Sequence, residues 1–344
     1  MKALSPCLKL QAFNMKKILQ ILFEYKTLTR EQAKEVLTGI SRGQYNESEI
    51  TAFITVFLMR SITIEELQGF RDALLELAVK ADLDDYEVID IVGTGGDGKN
   101  TFNISTLSSF IVAGTGQKVA KHGNYGATSI SGASNVMEQL GYKLSNDPAK
   151  LKKETERANF CFLHAPLFHP ALKAVGGIRK NLGIRTFFNI LGPLVNPASP
   201  KFQLIGVYNL EMARIYTYLL QKTKTSFAII HSLDGYDELS LTGDARVITN
   251  EGDRVMTPEQ LGKRTVSPSD IYGGNSPEQA AKIFLDILKG KGSWAQNAVV
   301  LANAAMALYC TGAYADYELA YAAAVESLES GKAMAGLQTL ISMQ

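Results

Sequence analysis

A chain of 344 residues has room for one large domain, or for a large domain with a smaller companion. With 46% hydrophobic residues, 20% charged residues and a net charge of +1, it is too apolar for a disordered chain and carries no broad attraction for nucleic acid or acidic membrane. No apolar run approaches the ~20 residues needed to span a bilayer; the longest candidate, residues 50–59, is interrupted by Thr51 and Thr55 and reads as a core helix. Cys7, Cys161 and Cys310 are odd in number and far apart, which suits buried thiols in a reducing, cytoplasmic setting better than a disulfide framework.

In chain order, residues 1–14 read as an extension. Lys2 and Lys9 bracket a segment broken by Ser5 and Pro6, with none of the sustained apolar stretch of a signal peptide. Met15, Lys16 and Lys17 open an amphipathic pattern. Thr29, Asn46 and Thr63 each stand three residues before Gln32, Glu49 and Glu66, the spacing at which a capping side chain and a carboxylate or amide satisfy the free amides of a helix start. Residues 15–82 therefore form a small helical domain. At Tyr86 the pattern changes. Short β-type runs at 88–92, 119–120, 160–163, 204–208 and 227–231 are separated by several helical segments, among them 103–113 and 136–140, and an alanine-rich helical stretch covers 297–324. Such alternation predicts an α/β domain over 86–344 with a mainly parallel sheet, and ligands at the loops after the strands.

Four segments carry chemistry. Gly93-Thr-Gly-Gly-Asp97 follows the first strand, and Asn103, Ser105 and Thr106 lie at the following helix start; glycine amides, hydroxyls and the helix dipole suit phosphate or diphosphate. The order is neither that of a Walker loop nor of GxGxxG. Lys121-His-Gly-Asn124, with Thr128 and Ser129, reads as a second polar loop offering a point charge from Lys121, a His122 inclined to the site, and neutral donors. The stretch from His164 through His169-Pro170, Arg179 and Arg185 to Asn189 and Asn196-Pro197 reads as structured turns, with either arginine able to clamp a carboxylate. Asp234-Gly-Tyr-Asp237-Glu238 follows the last of these strands; adjacent carboxylates suit Mg²⁺, although acidic neighbours in a loop are usually solvated.

Taken in order, Gly93–Asp97, Asn103–Thr106, Lys121–Asn124, His169-Pro-Ala-Leu-Lys173 to Asn189-Ile-Leu-Gly-Pro193, and Asp237-Glu238 resemble the anthranilate phosphoribosyltransferases. The resemblance implies a homodimer of the nucleoside phosphorylase/phosphoribosyltransferase-like fold, its helical domain joined by part of 170–200. It implies 5-phosphoribosyl 1-diphosphate (PRPP), anthranilate and Mg²⁺ held in a cleft between domains. On that correspondence Gly93, Gly96, Asp97, Thr101, Asn103, Ile104, Ser105, Thr106, Lys121, Ser129 and Ala133 meet PRPP. Gly93, His122, Asn124 and Arg179 meet anthranilate, and Ser105, Asp237 and Glu238 serve the metal. No residue is assigned as general acid or base.

Three residues depart from the family's commonest pattern. Tyr125 stands where arginine is frequent, Ala133 where a phosphate-contacting serine is frequent, and Asn135 where aspartate is frequent; Ser134 is the candidate for a displaced hydroxyl. Two rivals remain: a pyrimidine nucleoside phosphorylase on the same fold, and a non-catalytic relative that binds nucleic acid. The Lys121–Asn124 loop and the Asp237-Glu238 pair count against the first. The +1 net charge and the retained acidic pair count against the second.

Overall fold

The computed structural model describes residues 14–126 and 129–344. They divide into two compact units: one runs to Ala78 and takes in His169–Leu191, the other comprises Val79–Phe168 and Gly192–Gln344.

The first unit opens with α1 (Met15–Phe23), α2 (Arg30–Ser41), α3 (Glu47–Met59) and α4 (Ile64–Leu77). Asn14, which the sequence places in the extension, accepts the Lys16 amide and caps α1. The rest of that extension, Cys7 included, lies outside the described residues. All three capping boxes form, at Thr29/Gln32, Asn46/Glu49 and Thr63/Glu66. Glu66 does more than cap. Its buried carboxylate pairs with Arg60 at 2.5 Å and accepts the Leu28 amide at 2.9 Å. Burial alone would raise its pKa, but Arg60 and the amide donors outweigh burial and hold it below the usual carboxylate range.

The core of this unit is aromatic. Phe53, Phe57 and Phe70 meet edge to face, and Phe187 stacks on Phe70 at 4.6 Å. Phe187 thus ties His169–Leu191 to α3 and α4. That stretch, expected as turns, holds two short helices, Pro170–Ala174 and Gly176–Leu182, and a 3-10 turn, Phe187–Ile190. Proline at a first helical position costs no hydrogen bond, so Pro170 starts a helix here instead of breaking one.

The second unit is built on a seven-stranded sheet: β1 (Ile89–Gly93), β2 (Val119–Gly123), β3 (Phe160–His164), β4 (Phe202–Gly206), β5 (Ser226–Ser232), β6 (Ala245–Thr249) and β7 (Asp253–Met256). The order is β3-β2-β1-β4-β5-β6-β7; the first five strands are parallel, and β6 and β7 run antiparallel at one edge. Helices cover the sheet, so β3 and β4 are buried at every residue and read as apolar runs. The hairpin β6–β7 is absent from the sequence reading because β7 is exposed at three of its four residues and carries Asp253 and Arg254. Helices α5 (Ile104–Gly114), α6 (Ala133–Gln139) and α7 (Pro148–Ala158) follow β1 and β2, with Phe110 of α5 stacked on Phe160 of β3 at 4.2 Å. The alanine-rich stretch is two helices, Trp294–Cys310 and Tyr317–Glu329, parted at Gly312 (φ 72°) and restarted by the Asp316 cap. Among the described residues no helix is long and apolar enough to cross a membrane.

The strand order fixes where a ligand can sit. From β1 the chain builds outward through β2 to β3, then returns to the other side of β1 with β4. Crossovers leave β1 and β4 on opposite faces at this switch point and open a crevice beyond their carboxyl ends.

Candidate active site

Both strands end at that crevice in glycine, Gly93 on β1 and Gly206 on β4, paired in register. The reason for both glycines is Asp237. A methyl group at 93 would run into its carboxylate, and one at 206 into its carbonyl. The loop after β5 is thereby seated across the ends of β1 and β4. Asp237 accepts the Gly95 amide at 2.7 Å. Glu238 accepts the Ser105 amide and the Thr101 hydroxyl, the latter at 3.3 Å. Both carboxylates are buried, not solvated as a loop pair ordinarily is.

Glu238 also explains the start of α5. Asn103 stands at its N-cap but makes no capping bond; its side-chain amide donates to the Ser131 carbonyl at 2.9 Å. One orphan amide of α5, that of Ser105, is met instead by a carboxylate from another loop, as the positive end of a helix favours. The charge balance is lopsided. Burial first, and the neighbouring Asp97 second, push Asp237 up to about 7. Burial and then Asp237 push Glu238 well above its ordinary value, and burial raises Asp97 as well. Three carboxyls crowded at a crevice are short of a cation. Among the described residues no three His, Cys, Asp or Glu side chains close into a metal cage. Mg²⁺ held partly by water and diphosphate oxygens needs no such cage, so the donor set fits it.

The second loop differs from its sequence reading. Lys121 and His122 lie inside β2 and are buried, not displayed on a loop. The Lys121 ammonium donates to the Ile91 carbonyl at 2.5 Å and the Ser105 hydroxyl at 3.3 Å, so its charge sits beneath the start of α5. Burial lowers its pKa to about 8, against the opposing pull of Asp90. Asp90, on β1, accepts the His122 amide at 3.1 Å and is pushed by burial up to about 6. The sequence reading missed Asp90, although a carboxylate within the apolar run Ile89-Asp-Ile-Val92 was its signal. His122 holds the Gly192 carbonyl through Nδ1 at 3.1 Å.

Beyond β2 the chain is exposed at Asn124 and Tyr125. Thr128 falls outside the described residues. Asn135, the unusual residue of α6, accepts the amides of Gly126 and Gly132 at 3.1 and 3.0 Å and so staples the loop. Ser134 does not offer a displaced hydroxyl. It is fully buried, 2.8 Å from His164 Nδ1, because its place on α6 turns it towards β3. Ala133 starts α6 with its β-carbon against Gly123. In the other unit, Arg179 lies on the helix Gly176–Leu182, with its guanidinium 5.5 Å from the Phe188 ring and 3.4 Å from Asn189 Oδ1. Burial lowers its pKa, and among the described residues no carboxylate pairs with it.

A helical unit and an α/β unit in one chain, the latter with an anion-accepting helix start and an acidic pair at the sheet's switch point, are the parts of a glycosyltransferase of this class. Residues 16–78 match the glycosyl transferase family's helical bundle domain, and residues 85–334 its a/b domain. An anthranilate phosphoribosyltransferase of Flavobacterium johnsoniae is 57% identical over 326 residues, covering 95% of this chain and 98% of the relative. The crystal structure of anthranilate phosphoribosyltransferase (TrpD) from Thermus thermophilus superposes with a TM-score of 0.88 at 31% identity, covering 94% of this chain and 98% of that one. The Saccharomyces cerevisiae enzyme in complex with PRPP and Mg gives 0.87 at 28% identity, over 96% and 97% of the two chains. The chain belongs to the anthranilate phosphoribosyltransferase family.

Proposed function

We propose that the chain transfers the phosphoribosyl group of PRPP to the amine of anthranilate, the reaction of tryptophan biosynthesis that gives N-(5-phosphoribosyl)anthranilate and diphosphate. The observation that carries this reading is the acidic pair set across Gly93 and Gly206, against the start of α5. It is a place built for a cation and a diphosphate together.

In the reaction the C1–O bond to diphosphate breaks, diphosphate leaves with the electron pair, and the amine nitrogen bonds to C1 from the opposite side. Positive charge builds on the ribose as the bond opens, as in glycoside cleavage. The chain's task is to hold the diphosphate and aim the amine. Amides of the 93–97 loop and of α5, with Asp97, Thr101 and Asn103 to Thr106, are assigned to PRPP. Lys121 adds positive potential from beneath Ser105. Ser129 and Ala133 border the same ligand. Ser105, Asp237 and Glu238 would hold Mg²⁺, which when bound neutralises the departing diphosphate. Asn124 is assigned to the acceptor, with His122 and Gly93 behind it, and Arg179 to the acceptor's carboxylate. The aromatic amine is a nucleophile without a general base, and its proton passes to water after attack.

We place the enzyme in the cytoplasm, where the buried thiols Cys161 and Cys310 stay reduced. We assign it as a homodimer. Phe23, Tyr25 and Met59 of the helical unit are 61%, 78% and 81% exposed, an apolar surface that a second copy would cover.

Mixing the protein with PRPP, Mg²⁺ and anthranilate and following anthranilate fluorescence tests the reading. Fluorescence should fall, and excess chelator should stop the fall. A steady signal with all components present rejects the assignment.

A further inference from the structure

Tyr125 belongs to the loop assigned to the acceptor but itself has no assigned role. It is 46% exposed although it is a large aromatic side chain, and it directly follows Asn124. Its position is not loose. The ring meets the imidazole of His164 edge to face, with centroids 4.9 Å apart and planes at 72°. Its hydroxyl donates to Glu138 of α6 at 3.3 Å. His164 is fixed in turn by Ser134 through Nδ1 at 2.8 Å, and the Ser134 amide donates to the Asn124 carbonyl at 3.1 Å. Asn124 Oδ1 accepts the Tyr125 amide at 2.8 Å. Asn124, Ser134, His164 and Tyr125 thus form a closed circuit at the carboxyl ends of β2 and β3, where Gly123 and His164 stand in register.

A half-exposed aromatic ring normally loses little by rotating away. This one is held by contacts from two elements, with part of its surface left open beside the residue assigned to the acceptor. We propose that Tyr125 is a specificity-determining residue that packs against the benzene ring of the acceptor, and that His164 is a positioning residue acting through it. The proposal rests on the assignment of anthranilate to Asn124. It also gives meaning to the departure at this position. A guanidinium in place of Tyr125 would offer charge, whereas the phenol offers a flat apolar face that tells aromatic amines apart by their ring substituents.

The test compares Tyr125→Ala and Tyr125→Phe with the unaltered enzyme in steady-state assays with anthranilate and ring-methylated anthranilates. Tyr125→Ala should raise the anthranilate KM about three- to tenfold, the worth of one aromatic packing contact, and leave kcat and the PRPP KM within about twofold. It should also flatten the ranking of the methylated acceptors, and Tyr125→Phe should keep both KM and ranking. His164→Ala should shift the anthranilate KM in the same direction and add nothing further in the Tyr125→Ala background. An active Tyr125→Ala enzyme with unchanged anthranilate KM overturns the proposal alone. So does an equal rise in both KM values, which would mean that the ring only holds the loop. Unaltered enzyme that consumes no anthranilate overturns the acceptor assignment, and the proposal with it.

Discussion

At Gly93 and Gly206 the absence of a side chain makes room for Asp237. Because the Asp237 carboxylate occupies the space of a β-carbon at 93, Gly93→Ala should displace the acidic pair. We expect kcat/KM for PRPP to fall on the order of a hundredfold, the cost of misplacing a site by about an ångström, in a protein that still melts cooperatively. A Gly93→Ala enzyme of ordinary activity would show that Asp237 needs no such seat. Asp237→Asn with Glu238→Gln removes the charges but keeps the shape; it should weaken the Mg²⁺ dependence of PRPP use, read by titrating Mg²⁺ at fixed PRPP. Arg179→Ala should raise the anthranilate KM by the equivalent of about 1.5–3 kcal/mol, with little change for PRPP, and Arg179→Lys should rescue poorly because it lacks the planar fork. Impairment of PRPP use alone would move the acceptor's carboxylate elsewhere.

At the scale of elements, much was legible in the sequence and the exceptions have physical causes. The capping boxes are local chemistry, and all three could be read from residues three apart. β3 and β4 announce themselves because both faces are buried and their runs are apolar, whereas of β2 only Val119 and Ala120 read as strand. The β6–β7 hairpin does not announce itself, since an exposed edge strand with Asp253 and Arg254 lacks such a run. Of the site, the glycine loop, Asn103–Thr106 and the acidic pair were legible as residue types following strands. The burial of Lys121 and His122 was not, because polar residues next to glycine look like loop until a neighbouring strand pairs with them. Nor could any local pattern show that Glu238, 133 positions beyond Ser105, meets the start of α5. The Arg60–Glu66 pair is the element-level test of stability. Arg60→Ala leaves a buried carboxylate without its partner, and we expect a loss of about 3–5 kcal/mol in urea unfolding. A loss below about 1 kcal/mol would mark the pair as dispensable, as an exposed ion pair is.

For the whole molecule, stability should carry the mark of the buried Asp90. Its pKa is raised from 3.8 when unfolded to about 6 when folded. Between those values the folded chain binds more protons than the unfolded one, so this group's contribution to stability falls as pH rises through the window. Asp90→Asn keeps an acceptor for the His122 amide and has no charge to desolvate. Its unfolding free energy relative to the unaltered protein should therefore improve as pH is taken from 4 to 6. A difference that stays flat across that range would show that Asp90 is not held in this way.

The division of the chain has a consequence for its dissection. The polypeptide passes from one unit to the other at Ala78, returns at His169, and leaves again after Leu191. Neither unit is therefore a single length of chain, and no one cut releases either of them. A fragment starting at Val79 still carries Phe187, whose aromatic partners Phe53, Phe57 and Phe70 lie on the discarded side, and Phe188 stacked on it. Such a truncation should expose sticky rings and precipitate, whereas joining Phe168 to Gly192 through a short linker in the same fragment would remove them. A single junction therefore cannot transfer the whole helical unit, because its His169–Leu191 segment stays behind.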